Sequence, residues 1–158
     1  MKTPSRYFRA GVGAVLADPK GRVLIFERAD VRGAWQFPQG GLKRKEKPLA
    51  AAYREIKEET GFGRRSLELL AQYPTLLAYE LPRRMQSHKT GMGQVQYWFL
   101  FRVKGAAADV QFTKHSEFRA AAAVPFRKAV AGAPAFRQPL YQQLQDEFAD
   151  LIAQPPHA

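Results

Sequence analysis

Arg9 to Ala17 alternates around small and apolar residues, which predicts a β-strand. Asp18-Pro19-Lys20-Gly21 is a turn signal, and Arg22 to Arg28 resumes as a second strand, so the two make a hairpin. Residues 30–33 are loop, and Trp35 to Pro38 is a short extended piece, because Pro38 disfavours helix at Phe37. Gly40 and Gly41 open a loop that carries Lys43, Arg44, Lys45 and Lys47. The period then changes. Leu49, Ala52, Tyr53, Ile56 and Thr60 recur at helical intervals behind Pro48, a good first-turn residue, and Gly61 is a natural stop.

Leu67 to Tyr73, Thr75 to Leu81 and Gln94 to Val103 predict strands. The last is apolar on both faces, with Val95, Tyr97, Phe99 and Phe101 against Trp98 and Leu100, as a strand covered on both sides should be. Pro82 to Gly93 reads as a basic, flexible loop. Glu117 to Val124 fits neither period. Phe126 to Ala131 predicts a short helix, and Gln138 to Leu151 a longer one with Leu140, Tyr141, Leu144, Phe148 and Leu151 inward. This order predicts an α/β fold, a mixed sheet between helical layers.

The 158 residues suffice for one domain over 1–158, with an ordered core of roughly 6–153. There is no cysteine, so disulfides and thiolate metal sites are excluded and a cytoplasmic location is expected. No apolar run is long enough to cross a bilayer, and MKTPSRYFRAG has no apolar core of a secretory signal. The formal net charge of +11 favours polyanionic partners.

Against that basic background stands one acidic cluster. Glu55, Glu58 and Glu59 are spaced three and four apart on the predicted helix and share a face. Like charges so placed repel and call for a cation, and carboxylate oxygens suit Mg²⁺, Mn²⁺ or Ca²⁺. Mg²⁺ held by few carboxylates keeps positions for substrate phosphates. A cationic protein with a local metal site is thus suited to a phosphorylated substrate.

The whole segment runs Gly40, five residues, Glu46, seven residues, then Arg54-Glu55-Ile56-Lys57-Glu58-Glu59-Thr60-Gly61-Phe62. It resembles the signature of the Nudix hydrolases at every defined position. The resemblance implies an α/β/α sandwich and a divalent-metal-dependent hydrolase of nucleoside diphosphate derivatives. Its implied metal residues are Gly40, Glu55, Glu58, Glu59 and Glu117, with Mg²⁺ the expected ion, Mn²⁺ a substitute, and more than one ion beside bound substrate. Arg54 would orient Glu58, four residues on, and Glu46 would reach back from the loop to the same network.

The flanks narrow the resemblance. Trp35 to Gly41 (WQFPQGG), Gly93 to Phe99 (GQVQYWF), Tyr7-Phe8-Arg9, Ser116-Glu117-Phe118 and Phe136-Arg137 are similar to the RNA pyrophosphohydrolase and dinucleoside polyphosphate hydrolase subgroup. Alanines at 120–123 stand where that subgroup carries tryptophans, and Arg137 where it commonly has lysine. The implied activity is release of pyrophosphate from 5′-triphosphate RNA. The rivals are hydrolysis of dinucleoside polyphosphates or free (d)NTPs, and a catalytically silent RNA-binding module of the same fold.

Glu58 and Glu117 are both candidate bases. Arg9, Arg28, Gln94 and Arg137 are candidate substrate contacts, and the two strand arginines, Arg28 above all, also fit surface charges at strand ends. Phe136 either stacks on a base or packs in the core. Lys43-Arg44-Lys45, Arg64-Arg65 and Arg83-Arg84 are candidate tracks for an RNA backbone or plain solvated faces. His88, His115 and His157 are assigned no role, and the sequence leaves the oligomeric state open.

Overall fold

The computed structural model describes residues 6–114 and 116–156, so His115 and His157 lie outside the described residues. In chain order the elements are β1 (Phe8–Ala17), β2 (Val23–Arg28), β3 (Trp35–Gln36), β4 (Gln39–Gly41), α1 (Pro48–Thr60), β5 (Leu67–Gln72), β6 (Leu77–Glu80), β7 (Gly93–Val103), β8 (Phe118–Val124), α2 (Phe126–Ala131) and α3 (Gln138–Ala153).

β1 and β7 form the spine of a mixed sheet. They run parallel in unbroken register from Phe8↔Gly93 to Ala17↔Arg102. Successive β7 side chains point to opposite faces. Phe99, Phe101 and Val103 pack with Ala51, Ala52 and Ile56 of α1. Trp98 and Leu100 pack with Leu140, Tyr141, Leu144 and Phe148 of α3 and with Phe126 and Ala129 of α2. The expected α/β/α sandwich is therefore what the chain forms.

The turn after β1 is held by Asp18, whose Oδ1 accepts from the Lys20 and Arg22 N–H groups, each at 2.9 Å. The predicted hairpin is only partly realised. β1 and β2 meet in register at Ala17↔Val23, while the rest of β2 pairs with β8 from Val23↔Val124 to Arg28↔Phe118. β8 itself was not legible, because Ala120 to Ala123 carry no alternation. Gly40 and Gly41, expected in a loop, belong to β4 and pair antiparallel with Val12 and Gly11. Glycines show no periodic pattern, so that ladder is invisible in sequence.

α1 starts at Pro48 and is capped by Gly61, whose φ of 81° is left-handed and whose N–H donates to the Lys57 carbonyl. Its buried residues include Ala51 and Glu59 beside the expected Ala52, Ile56 and Thr60, whereas Leu49 and Tyr53 are half-buried flanks. α3 runs one turn-fraction further than predicted, and Ile152, not Leu151, is its last buried side chain. The 82–93 segment carries internal hydrogen bonds: Gln86 Nε2 donates to the Leu81 carbonyl at 2.9 Å, and Gly91 N–H donates to the Ser87 carbonyl at 2.8 Å.

Two side chains tie α3 to the sheet. Arg102, 4% exposed, donates to the carbonyls of Asp18, Ile152 and Gln154, so a cation sits at the negative end of α3. Tyr141 accepts a hydrogen bond from the Phe37 N–H at 2.9 Å, and the two rings lie 4.5 Å apart. Burial pushes the Tyr141 hydroxyl up to about 12. Phe37 leads directly into β4, so α3 also fixes the strand that floors the site.

Candidate active site

The first residues of β1 and β7, strand β4 and the start of α3 enclose a cleft of about 380 Å³. Glu55 and Glu59 enter it from α1, and Glu117 from the segment before β8. Arg9, Gln94 and Arg137 line it from β1, β7 and the α3 N-terminus. Arg28 and Gly40 complete the set of sequence candidates found there. Residues far apart in the chain are thus brought to one concave surface.

Glu55 lies against the β4 main chain. A Cβ on Gly40 would come within 2.1 Å of Glu55 Cδ, so only glycine leaves room for that carboxylate. Arg54 backs it, donating to Glu55 Oε1 at 2.7 Å. The main partner of Arg54 is Glu46, which takes Nε and Nη2 in a bidentate pair with both distances 2.8 Å. Arg54 also donates to the Gly41 carbonyl at 3.0 Å. The expected link to Glu58 is its weakest, at 3.4 Å. Two fixed oxygens in the loop outcompete a side chain that is 40% exposed. Glu46 is held down at about 2, chiefly by Arg54.

Glu59 is 6% exposed. Its Oε2 accepts from the Glu117 N–H at 2.9 Å and from Ser116 Oγ at 3.2 Å. Burial raises its carboxyl to about 7 against those hydrogen bonds, and the charges of Glu117 and Glu55 push the same way. Glu55 is also raised, by burial first, with Arg54 opposing and Glu58 and Glu117 adding repulsion. The Glu117 side chain is exposed and has no hydrogen bond or ion pair among the described residues.

Among the described residues no three acidic or histidine side chains are drawn together at coordinating distance; Arg54 supplies the positive charge at Glu55. The donor set nevertheless fits a hard divalent ion. It consists of carboxylate oxygens that raise one another's proton affinity, over a main chain without a side chain at Gly40.

The cationic wall is less uniform. Arg28 is clamped by Asp30 at 2.6 Å and 2.9 Å, so much of its charge is answered. Arg9 has no ion pair among the described residues. Arg137 is 8% exposed, donates to Gln36 Oε1 at 3.2 Å, and has a buried Nε without a partner. Its guanidinium lies 5.3 Å from the Tyr79 ring and 5.1 Å from Phe136. Phe136 does not line the cleft; it packs on Tyr79 at 5.8 Å and supports Arg137 from behind.

Sequence reasoning missed Gln36, Gln39 and Tyr79, which also line the cleft. Tyr79 accepts from Gln39 Nε2 at 3.1 Å, and Gln96 Nε2 donates to both Gln39 and Gln94. The glutamines of the WQFPQ and GQVQ segments carried that signal, as polar residues recurring inside apolar strands. With Gln94 Oε1 engaged by Gln96, its amide NH₂ is left to donate into the cleft.

The family profile of the NUDIX domain matches residues 7–144. An RNA pyrophosphohydrolase of Rhodospirillum rubrum is 38% identical over 153 residues, spanning 94% of this chain and 92% of that protein. One of Helicobacter pylori is 40% identical, spanning 87% and 90%. The E. coli dihydroneopterin triphosphate pyrophosphohydrolase superposes with a TM-score of 0.74 at 19% identity, covering 92% and 99%. A Francisella tularensis NMN adenylyltransferase/ADP ribose pyrophosphatase, solved with AMP and a manganese ion, gives a TM-score of 0.63 at 16% identity, covering 93% of this chain and 43% of that one.

Proposed function

The chain belongs to the NUDIX family of hydrolases, and on that footing we propose that it releases pyrophosphate from 5′-triphosphate RNA, leaving a 5′ monophosphate. The observation that carries this reading is the single cleft shared by Glu55, Glu59 and Glu117 with Arg9, Gln94 and Arg137. Relatives of near-equal length that bear the RNA pyrophosphohydrolase name support it.

Glu55, Glu58 and Glu59, with the Gly40 main chain, would hold the divalent ion, which we take to be Mg²⁺. When bound, such an ion neutralises phosphate charge and lowers the pKa of a coordinated water. Glu117 takes the proton from the attacking water. Its free, exposed carboxylate in the cleft favours it over Glu58, which does not line the cleft. Arg9 and Arg137 donate to non-bridging phosphate oxygens, and the Gln94 amide positions the nucleotide. Arg54 holds Glu55 and Glu46 in place without touching substrate. The absence of cysteine accords with work in a reducing cytoplasm.

The test is a substrate panel of triphosphate RNA, diadenosine tetraphosphate and dGTP, with pyrophosphate separated from orthophosphate among the products. RNA is expected to be preferred, with pyrophosphate released. A preference for either small nucleotide overturns the RNA reading. Binding of triphosphate RNA without product overturns the catalytic one.

A further inference from the structure

Three short basic runs were candidates for contact with an RNA backbone, and their surroundings differ. Arg64 is engaged, its guanidinium 4.2 Å above the Tyr53 ring in a separate groove along α1. Lys43, Arg44 and Lys45 lie in the connection between β4 and α1. The segment from 82 to 92 is continuous with the cleft, since its Met85 and Thr90 form part of the wall.

That segment is a built rim. Thr90 Oγ1 donates to the Met85 carbonyl at 3.2 Å and accepts from the Ser87 N–H at 2.9 Å. Tyr7 is fastened to it at both ends: the Met92 N–H donates to the Tyr7 carbonyl at 2.8 Å, and the Tyr7 hydroxyl donates to the His88 carbonyl. Tyr7 is nevertheless 41% exposed as a residue, and Met85 40%. Arg83, Arg84 and Lys89 are exposed beside them and have no ion pair among the described residues. An exposed aromatic hydrogen-bonded at both ends and flanked by free cations, at the mouth of a cleft, matches single-stranded nucleic acid. Bases stack on such rings whatever their sequence, and cations follow the phosphates.

We propose that Tyr7 and the 82–92 rim receive the single-stranded stretch that follows the 5′ end of the substrate RNA. Phosphates lie over Arg83, Arg84 and Lys89, and a base stacks on Tyr7. This rests on the RNA reading of the cleft. It makes substrate length, and not only the 5′ terminus, a determinant of affinity.

The experiment compares Arg83→Glu/Arg84→Glu/Lys89→Glu with Lys20→Glu/Lys104→Glu/Lys128→Glu, which changes net charge equally away from the cleft. Binding of a fluorescent 5′-monophosphate RNA oligomer to metal-free protein is read by anisotropy across a salt series. Turnover is read on a 5′-triphosphate trinucleotide and on a longer RNA with the same start. The rim variant is expected to bind the oligomer about tenfold more weakly, with a salt slope shallower by about 2, as loss of three single-strand phosphate contacts requires. Its turnover of the trinucleotide stays at the wild-type level, and the control variant keeps most of its affinity for the oligomer. Equal losses on short and long RNA, or equal weakening in the control, overturn the proposal. So does unchanged oligomer binding, including the case where the rim variant instead loses adhesion to anionic vesicles. Wild-type protein that binds the oligomer yet turns over only free nucleotides refutes the RNA activity separately, because the binding comparison still decides the rim.

Discussion

The main-chain N–H of Glu117 donates to the carboxylate of Glu59 at 2.9 Å, so the segment that delivers one glutamate also fixes another. Glu59 is buried and its carboxyl is raised to about 7 from the ordinary 4.5. A raised carboxyl binds its proton more tightly in the folded state. Its stabilising contribution is therefore complete below the unfolded value of 4.5 and is lost as pH rises through about 7. Metal-free protein should lose up to about 3 kcal/mol between those limits. Glu59→Gln should flatten that slope, as measured by urea midpoints in chelator. Metal ligands must be deprotonated, so half-saturating Mg²⁺ should fall as pH rises through 7 in the wild type.

Glu46 behaves in the opposite sense. Arg54 holds it at about 2, below the ordinary 4.5, so its contribution is present above 4.5 and disappears as pH falls towards 2. Glu46→Gln should cost roughly 1–2 kcal/mol at neutral pH, because a charge-assisted bidentate pair is broken. It should also remove part of the acid limb of the stability profile. An acid limb identical to the wild type's would show that the pair contributes nothing to stability.

Gly40→Ala should separate fold from function. The atoms nearest the added methyl are all of the Glu55 carboxylate, the end of a flexible side chain that can move aside. The melting temperature should change little. Displacing that carboxylate should lower kcat roughly 100-fold, the order expected when a site group moves by about 1 Å. A variant with normal turnover would remove Glu55 from the working site.

Glu117→Gln and Glu58→Gln should both leave the fold intact, since the first side chain is exposed and the second 40% exposed. Glu117→Gln is expected to lower kcat by roughly 10²–10⁴, with raised Mg²⁺ restoring none of it. Glu58→Gln should remove most activity through metal affinity, and raised Mg²⁺ should restore part of it. Reversal of those two profiles would make Glu58 the base.

The layered sheet, α1 with its caps and the acidic cluster were legible because each is written in local period and spacing. β4 and β8 were not. Gly40, Gly41 and Ala120 to Ala123 bear too little side chain to mark a face, and their pairing with β1 and β2 is decided by partners elsewhere in the chain. The division of labour around Arg54 was hidden for a related reason. Helical spacing pointed to Glu58, but the loop folds Glu46 back to within 2.8 Å, and spacing along a helix says nothing of loops. Phe136 and Arg137 were found together, yet only the fold distinguishes the ring that supports from the guanidinium that faces the cleft.

The hydrogen bond from Phe37 to Tyr141 spans 104 residues, and Arg137 starts the same helix. The floor of the cleft and one of its cations thus wait on the helix made last among these elements. On the ribosome, a nascent chain carrying all its metal-binding glutamates but not yet α3 would have no finished pocket. Catalytic competence is thereby postponed until synthesis has passed that helix.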